Sequence, residues 1–172
     1  DHTYIEFPMA RRFEITNWDG ESAELYHPGG FHPTHLGDVF KQRYKIIRKL
    51  GSGSYSTVWL ARDFQENCYV SIKIGTASDG HGTKLARPAI TCHQKIAASD
   101  HPGTDHIVPL IDHFVHTGPN GEHPCLVLKP MGRNTNALIE TDLDTIPPRF
   151  ARELSRQLVL AFDCIHSAGL AH

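Results

Sequence analysis

The chain has 172 residues, 40% of them hydrophobic and 21% charged, enough for one ordinary globular core and an arm. Seventeen Lys and Arg against nineteen Asp and Glu leave a net charge of -2, which excludes a strongly basic nucleic-acid binder and an acidic disordered tail. No apolar run approaches the ~18 residues that a membrane-spanning helix needs.

Residues 1–42 carry little hydrophobic periodicity. The turn formers between Tyr26 and Pro33 predict an extended arm with one ordered patch. From Arg43 the pattern changes. Tyr44 to Leu50 predicts a first strand, stopped by Gly51, and Thr57 to Ala61 predicts a second. Asp63 to Asn67 makes a turn into a third strand, Cys68 to Ile74, which alternates with period two. Residues 75–88, with three glycines and Pro88, predict a loop, and Ala89 to Ser99 a helix stopped by Asp100-His101-Pro102-Gly103. Ile107 to Val115 predicts a fourth strand and Cys125 to Leu128 a fifth. Between them Gly118-Pro119-Asn120-Gly121 predicts a hairpin turn, with Asn-Gly supplying the positive φ angles. Pro130 and Gly132 open a linker.

Phe150, Leu154, Leu158, Phe162 and Ile165 then recur at helical spacing. They make one stripe of a long helix, entered after Pro147-Pro148 and capped by Gly169. The expected class is α+β: a small, mostly antiparallel five-stranded sheet with one helix, followed by the first piece of something else. Its divisions are an arm over 1–42, the sheet unit over 43–128, and a linker with a helix over 129–172. There is no initiator Met and no polar tail after Leu170-Ala171-His172, so both ends are expected to be cuts in a longer protein.

Cys68, Cys92, Cys125 and Cys164 are widely spread, with no paired C-x-x-C spacing, which predicts a reducing compartment and no disulfide framework. Thirteen histidines include His32-x-x-His35, His113-x-x-His116 and His101-x4-His106. None forms H-E-x-x-H or joins paired cysteines, so loop and surface histidines are expected, and no metal ligand set.

The sharpest motif is Leu50-Gly51-Ser52-Gly53-Ser54-Tyr55-Ser56-Thr57-Val58. It begins as G-x-G and places Ser56 where G-x-G-x-x-G has its third glycine. Glycines at 51 and 53 would let backbone N–H groups approach a phosphate with no Cβ in the way. A strand follows the motif, not a helix, which argues against a dinucleotide-binding Rossmann turn. Fifteen positions beyond Val58 the third strand carries Lys73, with Ser71 on the same face. A lysine inside an apolar strand needs an anion, and nucleotide phosphates would serve.

With these motifs in this order the chain resembles the protein kinase superfamily, and more closely the SR-protein kinases, fungal members above all. The resemblance runs from about Ala23 to His172. It rests on Tyr26-x-x-Gly29-Gly30-Phe31-His32-Pro33, Gly37-Asp38-Val39-Phe40, Ser56-Thr57-Val58-Trp59-Leu60 and His113-Phe114. Cys125-Leu126-Val127-Leu128 with Pro130-Met131-Gly132 matches too, as do Arg156-Gln157-Leu158 and Ile165-His166. The resemblance implies a kinase small lobe, a hinge and the first long helix of the large lobe.

It also implies that Gly51 to Val58 covers ATP and that Lys73, the catalytic lysine, pairs the α- and β-phosphates. Leu50, Val58 and Ser71 would enclose the adenine, with Leu128 as gatekeeper. Lys129 and Met131 would bond the base through their backbones. The implied reaction is transfer of the γ-phosphoryl group of ATP to protein serine, with Arg-Ser-rich splicing factors among the substrates. Mg²⁺ would be held by residues beyond His172, where the family's catalytic loop would also begin. Neither nucleic acid nor membrane is an expected direct partner, and a cytoplasmic and nuclear location is expected.

Three departures stand out. The family's helix glutamate, which holds the strand lysine in position, falls near Ala89, and no Asp or Glu lies between Asp79 and Asp100. Ser71 replaces the usual alanine, and Lys129 the usual hinge acid. Without the later catalytic residues this segment alone is expected to be inactive, and a degenerate kinase serving as a binding module is the alternative.

Overall fold

Alternation of apolar and polar side chains from Tyr44 onward makes ribbons with two unlike faces, and pairing them buries the apolar one. The computed structural model describes residues 21–77, 81–132, 134–135 and 147–170. Among these, six strands form one sheet: β1 (Val39–Phe40), β2 (Tyr44–Gly53), β3 (Ser56–Asp63), β4 (Cys68–Gly75), β5 (Leu110–Gly118) and β6 (Gly121–Leu128). Every adjacent pair is antiparallel, and the order across the sheet is β1-β2-β3-β4-β6-β5. Two helices accompany it, α1 (His81–Ala97) and α2 (Pro148–Ser167). The class is α+β, as expected.

Several boundaries differ from the sequence expectation. The sheet has six strands because the end of the arm joins it. β1 pairs Val39 with Lys45 and Phe40 with Tyr44, and the turn between runs through positive φ at Lys41 and Gln42. Two residues are too few to show a period. β5 begins at Leu110, not Ile107, because Pro102–His106 first makes a 3₁₀ turn capped by His101, whose Nδ1 accepts from Gly103 N–H at 3.0 Å. Pro109, with no N–H, cannot extend the ladder. In the β5–β6 hairpin only Gly121 has positive φ, at 125°. Pro119 holds the first turn position at negative φ, which excludes the all-positive turn that Asn-Gly suggested.

The largest difference is α1. It starts at His81, inside the stretch expected to be loop, and runs through Pro88. An interior proline costs a helix about 3 kcal/mol. Tertiary contact overrides that: the helix packs on β4, β5 and β6, and its Ala86 and Ile96 are buried.

The sheet's core cluster includes Phe40, Tyr44, Ile46, Trp59, Val70, Ile72, Ile74 and Val127, with Phe114 against it. Val70, Ile72 and Ile74 alternate along β4 with Ser71 and Lys73, so the cluster and Lys73 lie on opposite faces. At the far end of β2 and β3, Asp63 is fully buried and accepts from Arg43 Nε at 2.8 Å and Nη2 at 2.7 Å. The N–H groups of Gln65 and Glu66 also donate to it. Arg43 holds the Asp63 carboxyl below the ordinary carboxylate range, against the effect of burial. Two of the histidines expected at the surface, His32 and His123, are buried instead.

α2 docks on the 3₁₀ turn at Pro102–His106. A Cβ on Gly103 would stand 1.9 Å from the carbonyl oxygen of Leu160, so only glycine permits this approach. Buried Cys164 meets the Thr104 hydroxyl at 3.5 Å. The helix ends as expected. Gly169, at φ 69°, donates to His166 and Leu170 donates to Ile165, the paired bonds of a Schellman cap. Phe150, Leu158 and Phe162 of the apolar stripe remain exposed.

Candidate functional site

β2 and β3 form a hairpin in which Gly51 pairs with Val58, Ser52 with Thr57 and Gly53 with Ser56, leaving Ser54 and Tyr55 at the tip. Neither glycine is required by crowding: an added Cβ would meet nothing within 4 Å at Gly51 and only Ser56 Oγ, at 4.0 Å, at Gly53. What the glycines leave is bare backbone. The tip is tethered from below, where Thr76 N–H donates to the Tyr55 carbonyl at 3.0 Å.

Behind this hairpin lies a cavity of about 420 Å³. Gly53, Ser54, Tyr55 and Ser56 wall it on one side, and Lys73 and Leu126 on the sheet. Ala86 and Ala89 of α1 line it as well. Register explains the sheet wall: Lys73 pairs with Val58 on β3 and with Leu126 on β6, so both neighbours share its face. Among the described residues no carboxylate is ion-paired with Lys73. The volume lies within the range of small-molecule sites. A bare glycine backbone and an ammonium group suit a polyphosphate.

Five of the residues that the sequence singled out therefore meet at one place: Gly53, Ser54, Tyr55, Ser56 and Lys73. Leu50, Gly51, Ser52, Val58, Leu128, Lys129 and Met131 do not line this cavity. Nor does Thr57, which is fully buried and accepts from Trp59 Nε1 at 3.0 Å. Ser71 is buried, and its hydroxyl donates toward the carbonyls of Leu128 at 3.3 Å and Lys129 at 3.5 Å. It thereby ties β4 to the segment that leaves β6. Sequence reasoning missed Gly75, Ala86, Pro124 and Leu126 as lining residues. Leu126 was within reach, because period two along β6 puts it on the Lys73 face once the two strands are paired.

No family model matches the chain. Single proteins do. Serine/threonine-protein kinase SKY1 of Saccharomyces cerevisiae is 39% identical over 160 residues, which is 88% of this chain and 21% of that protein. Protein kinase dsk1 of Schizosaccharomyces pombe is 39% identical over 157 residues, 88% of this chain and 29% of its own. SRSF protein kinase 3 of Homo sapiens is 37% identical over 150 residues, covering 86% of this chain and 26% of its own. Over this stretch the chain's homologues are SR-protein-kinase-family serine/threonine kinases. The chain spans 21–29% of the length of these three relatives. In an SR-protein-kinase segment the sheet with α1 is a small-lobe arrangement. Ala89, near which the resemblance expects the helix glutamate, lies on the cavity wall with Lys73.

Proposed function

We propose that this segment is the ATP-binding part of a serine/threonine protein kinase that transfers the γ-phosphoryl group of ATP to protein serine. The observation that best supports it is the meeting of Gly53–Ser56 and Lys73 at one cavity. In this reading Gly51 to Val58 covers the triphosphate, and Lys73 neutralises the α- and β-phosphates. Leu50, Val58 and Ser71 flank the adenine, Leu128 limits the depth of the site, and the backbones of Lys129 and Met131 bond the base. Mg²⁺ is a different matter. Among the described residues no group of His, Cys, Asp or Glu could hold a metal ion, so no step is assigned to Mg²⁺ here.

No D-F-G triplet occurs in the 172 residues, and phosphoryl transfer by this segment alone is not expected. For the longer protein, serines in Arg-Ser-rich splicing factors are the proposed substrates and cytoplasm and nucleus the proposed location. A thermal-shift titration of the segment with Mg-ATP, beside Lys73→Ala, tests nucleotide binding. A shift in the native chain that Lys73→Ala abolishes supports it; no shift in either sinks it.

One observation favours a second reading, a degenerate kinase that binds without catalysis: the α1 residue on the cavity wall with Lys73 is an alanine. Labelled ATP and an Arg-Ser peptide, offered to the full-length protein, separate the two. Incorporated label supports the kinase. Nucleotide binding with no label supports the binding module.

A further inference from the structure

Three imidazoles from three separate segments meet where the arm packs on the β5–β6 hairpin: His32 of the arm, His116 of β5 and His123 of β6. Ring centroids of His32 and His116 are 4.6 Å apart, and those of His32 and His123 4.9 Å. Phe40 closes the group, 4.4 Å from His116 and 5.7 Å from His32. His32 is only 6% exposed and His123 not at all. His123 Nδ1 lies 3.0 Å from the Gly75 carbonyl oxygen, so this nitrogen carries the proton and donates. Its Nε2 is then a bare lone pair, buried without a partner, and His32 Nδ1 is likewise buried and unpartnered. Gly118 sets how close the His32 ring can come, since a Cβ there would stand 2.4 Å from His32 Nδ1. The rings do not make a metal centre: among the described residues no such group exists.

The cluster sits at a junction. Gly29 N–H donates to the Asn120 carbonyl at 2.8 Å, and Asn120 Nδ2 donates back to the Phe31 carbonyl at 2.6 Å. Ala77 N–H donates to the Gly30 carbonyl at 3.0 Å. One residue earlier, Thr76 holds the Tyr55 carbonyl at the glycine-loop tip. Gly75 itself lines the cavity. The arm, the hairpin, the exit of β4 and the loop tip are thus linked through a few backbone bonds around the three rings.

We propose that this cluster is a proton-operated latch: with all three rings neutral it clamps the segment around His32 onto the β5–β6 hairpin and holds the Gly75 carbonyl at the cavity edge, and acidification opens it. The groups around the rings are few. From the arm come Asp38, which favours charge on His32 and His116, and His35, which opposes charge on His32. From β6 come Cys125, whose thiol is buried and pushed up to about 12, and Glu122, which is exposed and alternates to the other face. Beyond Phe40, Lys41 and Asp112 pair with each other at 3.0 Å. Burial, then repulsion from His116 and His123, pushes His32 down to about 4. Burial lowers His116 and His123 as well.

The sign follows from those directions. The open or unfolded chain binds more protons than the closed one, so the clamp is fully present above pH about 6.5 and is lost as pH falls from there toward 4. The latch stands whether or not the cavity takes a nucleotide.

The test compares melting temperatures at pH 7.5 and 5.0 for the native chain and for a double variant, His32→Phe with His116→Phe. The variant keeps aromatic packing but removes two titrating rings. The native chain is expected to lose roughly 5 °C more than the variant on acidification, and parallel losses would overturn the latch. A second measurement holds even if the variant does not fold. In NMR of the native chain, the three ring Cε1–H signals should titrate below the ordinary imidazole value, together with the Ala77 amide. Titration of all three near 6.5, or an Ala77 amide that does not move, would overturn it.

Discussion

Ala89 of α1 and Lys73 of β4 line one cavity, and the helix that carries Ala89 brings no carboxylate to it. The cation is placed by strand register alone, with Val58 and Leu126 as its ladder partners. Ala89→Glu should give the ammonium group a partner. The expected gain is about 0.5–1 kcal/mol, a two- to five-fold tightening of Mg-ATP binding by calorimetry. Unchanged or weaker binding would show that Glu at position 89 does not engage Lys73.

Arg43→Ala leaves the Asp63 carboxylate buried without its bidentate partner. Stranding a buried charge in this way costs about 3–5 kcal/mol, which denaturant unfolding at neutral pH would measure. Because Arg43 holds Asp63 below its ordinary value, this pair stabilises the fold above pH about 3.8 and loses that effect as pH falls through the folded value. The variant should therefore show a shallower acid limb than the native chain. An equally steep limb would mean that other carboxylates govern acid unfolding.

Gly103→Ala sets a methyl group against the backbone of Leu160. The 3₁₀ turn and α2 cannot both keep their places. The expected loss is about 2–3 kcal/mol, typical of overpacking, with faster hydrogen exchange in α2 than in the sheet. Uniform exchange across both would contradict the docking described.

Pro88→Ala should stabilise the chain. Pro88 is exposed and lies inside α1, where it withholds one helical hydrogen bond. Part of the ~3 kcal/mol helical penalty is offset by the greater freedom of the unfolded alanine chain. A gain of about 1 kcal/mol in chemical denaturation is expected, and a loss would mean that α1 accommodates the proline without cost.

Much of the fold was legible because its signals are local. The alternation of β4 placed Ser71 and Lys73 on the face opposite Val70, Ile72 and Ile74, and the stripe ending at Gly169 gave α2 its length and cap. What stayed hidden depends on contacts distant in sequence. β1 is two residues whose identity as a strand comes only from pairing with Tyr44 and Lys45. The first turns of α1 carry glycine and proline, which local propensity assigns to a loop, and burial of Ala86 and Ile96 decides otherwise. At the cavity, the glycine loop and Lys73 were visible as motifs, whereas Gly75 and Pro124 enter through tertiary placement alone. His32 and His123 look like surface residues in sequence because nothing local says that the arm packs His32 against His123 of β6.

The sheet order has a consequence for how the chain leaves the ribosome. β6 lies between β4 and β5, so the edge of β4 from Ser71 to Ile74 finds its partner only when Cys125 to Leu128 emerges, about 50 residues later. At ~5–20 residues per second that is a wait of roughly 3 to 10 s. Meanwhile the β2–β4 meander presents an apolar, hydrogen-bond-hungry edge to whatever is nearby. A nascent chain stalled before Pro124 should therefore recruit chaperones, and one stalled well past Leu128 should release them.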